Sequence, residues 1–183
     1  GERLRSAGRP VPGVVLSIQD PDGNLLPAGE PGEVCARAGN FVKGYWNKPE
    51  ATEEVFRGGW YHTGDLGSLD TEGYLWIRDR IDHMINSGAE NVYPREVEDA
   101  LVEHPGVLEV AVVGEPDDTW GQVVAAHVVA KPGATLTREA LDHFLLEGDR
   151  LAHYKRPRRY HFIEALPKTT SGKIQKHLLR QAG

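Results

Sequence analysis

The spacing of apolar and polar residues changes character near residue 80. Between residues 11 and 77 the apolar positions come in short runs, VVLSIQD, GEVCARA and GYLWIRD, rich in β-branched or aromatic side chains. Turns built from Gly, Pro and Asp separate them (PDGN, AGEPG, TEG), so this region is predicted to be β structure. NKPEATEEVF reads as one short surface helix, and charge interrupts the strand pattern from Arg78 to Asp82.

Beyond that break the chain reads as mixed α and β. PREVEDALVEHPG has Pro94 at a first-turn position and a stripe of Val97, Leu101 and Val102, and His104-Pro105 ends it. VLEVAVVGEP and GQVVAAHVVAKPG are predicted strands. Thr137 is placed to cap a helix over residues 138–148, with Thr137 to Ala140 resembling a capping pattern. RRYHFIEALP reads as a strand, KTTSGK as a polar turn, and residues 174–181 as a last short helix. The expected fold class is α+β: a small β-rich subdomain over residues 1–81, then a compact α+β domain over 82–183.

The composition, 39% hydrophobic and 26% charged, is that of a soluble globular protein. No run approaches the roughly 20 apolar residues of a membrane span, and GERLRSAGRP lacks the apolar core of a secretory signal. A single cysteine, Cys35, excludes an internal disulfide and fits a reducing cytoplasm, the expected location. The net charge of -6 argues against a general nucleic-acid binder. Its distribution is uneven: from residue 151 onward eight basic residues face one acid, Glu164, which gives +7 and leaves -13 for the rest. Such a tail is either a solvated face or a site for a phosphate-rich small molecule.

Zinc signatures of the CxxC and HExxH kinds are lacking, so no metal site is expected. TSGK matches half of a phosphate-binding P-loop, but Pro167 occupies the position of the first Gly. Three segments carry candidate chemistry. In Tyr61-His62-Thr63-Gly64-Asp65, an Asp after a Gly turn either accepts hydrogen bonds from a ribose diol or is a plain turn residue. In Arg80 to Pro94, Gly88 could let backbone approach a ligand, and Arg80 could bridge hydroxyl and phosphate oxygens; the alternative is a wet interdomain loop. In Pro167 to Lys173, a turn could deliver the Lys173 charge to a phosphate, or leave it solvated.

In this order the three segments resemble the late motifs of the adenylate-forming superfamily: acyl-CoA synthetases, peptide-synthetase adenylation domains and firefly-type luciferases. Gly8-Arg9-Pro10, Gly44-Tyr45-Trp46-Asn47-Lys48-Pro49, Gly59-Trp60 through Leu66-Gly67, and Tyr154-Lys155-Arg156-Pro157 extend the match over essentially the whole chain. Ser87-Gly88-Ala89-Glu90-Asn91-Val92-Tyr93-Pro94 resembles the loop of fatty or aryl acid CoA ligases, with Ala89 where many relatives have Gly. Residues 145–150 form a slightly longer stretch than usual.

The resemblance implies a C-terminal portion of an AMP-forming acyl-CoA synthetase whose large N-terminal adenylation domain, with phosphate loop and acyl pocket, lies outside the chain. Residues 1–81 would be the β-rich end of that domain and 82–183 the mobile C-terminal domain. The complete enzyme would use ATP, Mg2+ and CoA on a small carboxylic acid, and the fragment alone would be inactive. By the same resemblance Lys173 is catalytic, Asp65 and Arg80 bind ATP or AMP, and Asp82 is the hinge. Ser87, Gly88, Ala89, Glu90, Trp120, Tyr154, Arg156 and Arg158 would face CoA. The competing expectations are a domain that loads a carrier protein, and a non-catalytic binding module.

Overall fold

A computed structural model describes residues 2–147 and 150–180. The chain forms two compact units, residues 1–82 and 83–183.

The first unit is an antiparallel sheet. It contains β1 (Val14–Gln19), β2 (Gly32–Ala38), β3 (Phe56–Arg57), β4 (Trp60–Leu69) and β5 (Leu75–Arg80), with helix α1 (Pro49–Val55) before β3. The strands lie in the order β1-β2-β4-β3, and β5 also pairs with β4. Ile18, Val34, Cys35, Ala36 and Leu66 are buried in it. Sequence reading treats Thr63-Gly64-Asp65 as a turn, but here the three lie inside β4. Pairing of β2 with β4 jumps from Glu33↔Leu66 to Cys35↔His62, a bulge that accommodates the segment without ending the strand. β5 likewise runs into the charged stretch as far as Arg80.

The second unit is a mixed sheet with helices. It comprises β6 (Ile85–Ser87), β7 (Glu90–Val92), α2 (Pro94–Val102), β8 (Val107–Asp117), β9 (Gly121–Ala130), α3 (Arg138–Leu146), β10 (Arg159–Phe162) and α4 (Lys176–Leu179). β9 is central: it pairs antiparallel with β8 and parallel with β10, and touches β6 at Ser87↔Gly121. Both faces of this sheet are covered, which is why β8 and β9 read as nearly continuous apolar runs. Val110, Val112, Val124, Ala126 and Val128 pack with Val97 and Leu101 of α2 and Leu141 and Leu145 of α3. The alternate residues Ala111, Val113, Ala125 and Val129 pack with Leu166 and Leu179. Thr137 caps α3 by accepting from Ala140 N, 3.2 Å away. The expected ends of the last two helices, at residues 148 and 181, lie outside the described residues. β6 and β7 form a hairpin where sequence reading has only a loop; at three residues each they are shorter than ordinary strand signals. No helix among the described residues is long and apolar enough to cross a membrane.

Candidate functional site

In the first unit Asp65 and Arg80 are direct register partners across β4 and β5. Arg80 Nη1 donates to Asp65 Oδ1 at 3.3 Å and to Thr63 O at 2.9 Å, and Nε donates to Asp82 Oδ1 at 3.3 Å. Burial works against the Arg80 charge, but Asp82 and then Asp65 outweigh it and hold its pKa above the usual guanidinium value. Both side chains remain open to solvent, 35% for Asp65 and 48% for Arg80. The guanidinium can therefore offer further donors to an incoming phosphate or hydroxyl oxygen.

A network beneath fixes this pair. Gly64 has φ +70, and a Cβ there would come within 3.0 Å of Arg80 Nη2, so glycine serves both conformation and space. Thr63 Oγ1 donates to Val34 O (2.8 Å) and accepts from Asp65 N (3.0 Å). Glu33 accepts from Gly64 N at 3.1 Å, and its other oxygen meets His62 Nδ1 (2.7 Å) and Arg57 (3.0 Å). Sequence reading passes over Glu33; its signal is a carboxylate just before the apolar run Val34-Cys35-Ala36. Cys35 Sγ lies 3.3 Å from His62 Nδ1, and burial, with Glu33 nearby, pushes its thiol up to about 11.

In the second unit Ser87, Gly88, Ala89 and Glu90 form the tip of the β6–β7 hairpin. The tip is pinned to the β8–β9 connection, where Gly88 N donates to Trp120 O at 2.8 Å. Trp120 is itself held by Asp117, whose Oδ1 accepts from Thr119 N and Trp120 N. The Arg158 guanidinium stacks 4.3 Å above the indole. Six of the expected CoA-facing positions, Ser87 to Glu90, Trp120 and Arg158, thus converge on one exposed corner.

Tyr154 and Arg156 are placed differently. Tyr154 is exposed, with Lys155 Nζ 5.6 Å from its ring centroid. Arg156 is bound to Asp142 of α3 at 3.0 Å, and Asp142 also accepts from Tyr160 OH at 2.7 Å. The basic tail is mostly engaged in this way. Lys155 pairs with Glu96, Arg159 with Glu115 and Asp117, Lys168 with Glu109, and Lys176 with Glu98. The phosphate-site reading of the tail as a whole is therefore narrowed to Arg158 and Lys173.

Lys173 lies on a closed turn. Thr169 N donates to Lys173 O (2.8 Å), Gly172 N to Thr169 O (2.9 Å), and Lys173 N to Thr169 Oγ1 (3.1 Å). Ile163 and Ile174 anchor the segment on the sheet. The backbone of Lys173 is fixed while its side chain stands exposed.

Residues 96–173 match the family model described as the AMP-binding enzyme C-terminal domain, and residues 1–46 match the AMP-binding enzyme model. Long-chain-fatty-acid–CoA ligase FadD13 of Mycobacterium tuberculosis is 45% identical over 96% of this chain and 34% of its own length. Fatty acid–[acyl-carrier-protein] ligase ScoC of Streptomyces coeruleorubidus is 46% identical over 98% of this chain and 34% of its own. Among solved structures, ATP-bound MatB from Rhodopseudomonas palustris superposes with a TM-score of 0.91 at 39% identity, over 97% of this chain and 35% of that one. The chain thus spans about a third of the length of the curated relatives it matches.

Proposed function

Because the chain belongs to the AMP-binding enzyme family, we propose that it is the C-terminal third of an AMP-forming acyl-CoA synthetase. The whole enzyme would activate a carboxylic acid with magnesium ATP and pass the acyl group to CoA. In the first step a carboxylate oxygen attacks the α-phosphorus and pyrophosphate leaves. In the second a CoA thiolate attacks the acyl carbon and AMP leaves. Phosphoryl and acyl transfer of this kind need charge neutralisation and positioning above all.

The observation that carries the reading is the Asp65–Arg80 pair. Asp65 offers carboxylate oxygen to a ribose diol, and Arg80 offers its remaining donors to ribose or α-phosphate oxygens. Glu33, Thr63 and Gly64 hold both groups in place. Lys173 supplies a point charge to the converging carboxylate and phosphate. The Ser87–Glu90 tip, Trp120 and Arg158 serve the CoA side, with the Arg158 stack suited to a nucleotide. Asp82 ends the first compact unit, and a hinge there lets residues 83–183 serve the two steps in turn.

A second acceptor is favoured by one relative, the acyl-carrier-protein ligase ScoC. The two acceptors part experimentally. The intact enzyme is given a panel of fatty and aryl acids, and pyrophosphate exchange identifies the acid; CoA and a phosphopantetheinylated carrier protein then compete for the adenylate. Thioester on CoA supports the synthetase reading, and thioester on the carrier alone overturns it. The chain of residues 1–183 by itself should catalyse neither half-reaction, and exchange by the purified chain would contradict its place as one part of a larger site.

A further inference from the structure

Three strands of the second unit bring Glu115, His127 and His161 together beneath the face that carries the Lys173 turn. His127 on β9 and His161 on β10 are register partners, and their rings stack with centroids 4.6 Å apart and 21° between planes. Glu115 lies on β8, opposite Val123. Its side chain reaches both rings: Oε1 lies 2.7 Å from His161 Nε2 and 3.6 Å from His127 Nε2. Glu115 is 1% exposed and His127 3%.

Burial of this kind demands partners. Yet among the described residues, Oε1 of Glu115 and Nε2 of the two histidines approach one another, at 2.7 Å for His161 and 3.6 Å for His127, without forming a well-aligned hydrogen bond. Three buried ligand-type atoms thus lie together, all within 4.8 Å of one another. The opposite edge of the carboxylate is occupied, because Arg159 donates to Oε2 at 3.1 Å and fixes its plane. The comparable group of Glu33, Cys35 and His62 differs, since its atoms are already hydrogen-bonded to each other, to Gly64 and to Arg57.

The geometry points to a divalent transition-metal site, of which zinc is the fitting ion, held by Glu115, His127 and His161. Two imidazoles and one carboxylate are a recurrent three-ligand set for such ions, with a fourth position left for water. Ligand atoms bonded tetrahedrally to zinc lie about 3.4 Å apart, so the set needs adjustments of about 1 Å to close on an ion. His161, whose side chain is 35% exposed, supplies the way in. The ion cross-braces β8, β9 and β10 under the segment that packs Leu166 and Ile174 on the same face.

The test is calorimetric titration of the 183-residue chain with zinc, with cobalt as a spectroscopic probe, on the wild type and on His161→Gln, His127→Ala and Cys35→Ser. Circular dichroism verifies the fold of each. One equivalent of zinc should bind and raise Tm. His161→Gln and His127→Ala should each weaken binding by more than about 100-fold, beyond the cost of losing an outer-shell group. Cys35→Ser should bind as the wild type does, and cobalt should give no thiolate charge-transfer band. No stoichiometric binding by the wild type overturns the site, as does binding that survives in a folded His161→Gln variant or vanishes in Cys35→Ser.

Discussion

Gly88 and Trp120 define the exposed corner of the second unit: the Gly88 amide donates to the Trp120 carbonyl at 2.8 Å, and a Cβ on Gly88 would fall 2.9 Å from Trp120 Cε3. With φ +67, Gly88 also sits where other residues are strained. Gly88→Ala should therefore destabilise the second unit by about 1–2 kcal/mol. Denaturant unfolding of the chain measures it, and an unchanged midpoint would mean that the hairpin tip relaxes freely. In the intact enzyme Gly88→Trp should impair thioester formation from a supplied acyl-adenylate while leaving adenylation largely intact.

Lys173→Ala should show the reverse pattern. Its fixed backbone and exposed ammonium suit a charge delivered to a transition state in which negative charge converges. Loss of one such preorganised contact costs about 10² to 10³ in rate. Single-turnover assays of each half-reaction on the intact enzyme separate the effects. Equal losses in both halves would defeat the proposed division of labour between the two steps.

Asp65→Ala should raise the ATP requirement of the intact enzyme. A hydrogen bond to a charged group contributes about 1.5–3 kcal/mol, which corresponds to roughly 10- to 150-fold. Initial rates over a range of ATP concentrations provide the comparison. The same ATP dependence in wild type and variant would remove Asp65 from the nucleotide site.

Cys35 should resist alkylation in the folded chain. Its thiol is pushed from an ordinary value near 9 up to about 11, chiefly by burial. The folded state therefore favours the protonated form. That contribution to stability is fully present below pH 9 and fades as pH rises towards 11. Iodoacetamide labelling at pH 8 should be slow until denaturant is added. Rapid labelling of native chain would show that the first unit opens readily around β2.

Where one interaction dominates, the sequence was legible. The continuous apolar runs of β8 and β9 and the Thr137 cap announce themselves because burial and capping each act within a few residues. β4 is hidden because Gly64, Gly67 and Asp65 all disfavour a strand, and only pairing with β2, β3 and β5 holds it. The β6–β7 hairpin is similarly set by tertiary contact with Trp120. Asp65, Arg80 and Lys173 were singled out through their motifs, whereas Glu33 was not, since its contact is with Gly64, thirty-one residues away. Arg156 shows the converse: its charge drew attention as a ligand contact, but α3 supplies Asp142 as its partner.

The ion pairs of the tail alter how an anion would meet this molecule. A run of eight cations in isolation would draw polyphosphates from a distance, in competition with salt. Lys155, Arg156, Arg159, Lys168 and Lys176 are already neutralised by acids from the same unit. Long-range steering by the tail is thereby muted, and what the tail adds to recognition is short-range contact at Arg158 and Lys173. Capture of a nucleotide should consequently vary little with ionic strength, and fit rather than attraction should set which phosphorylated molecule stays.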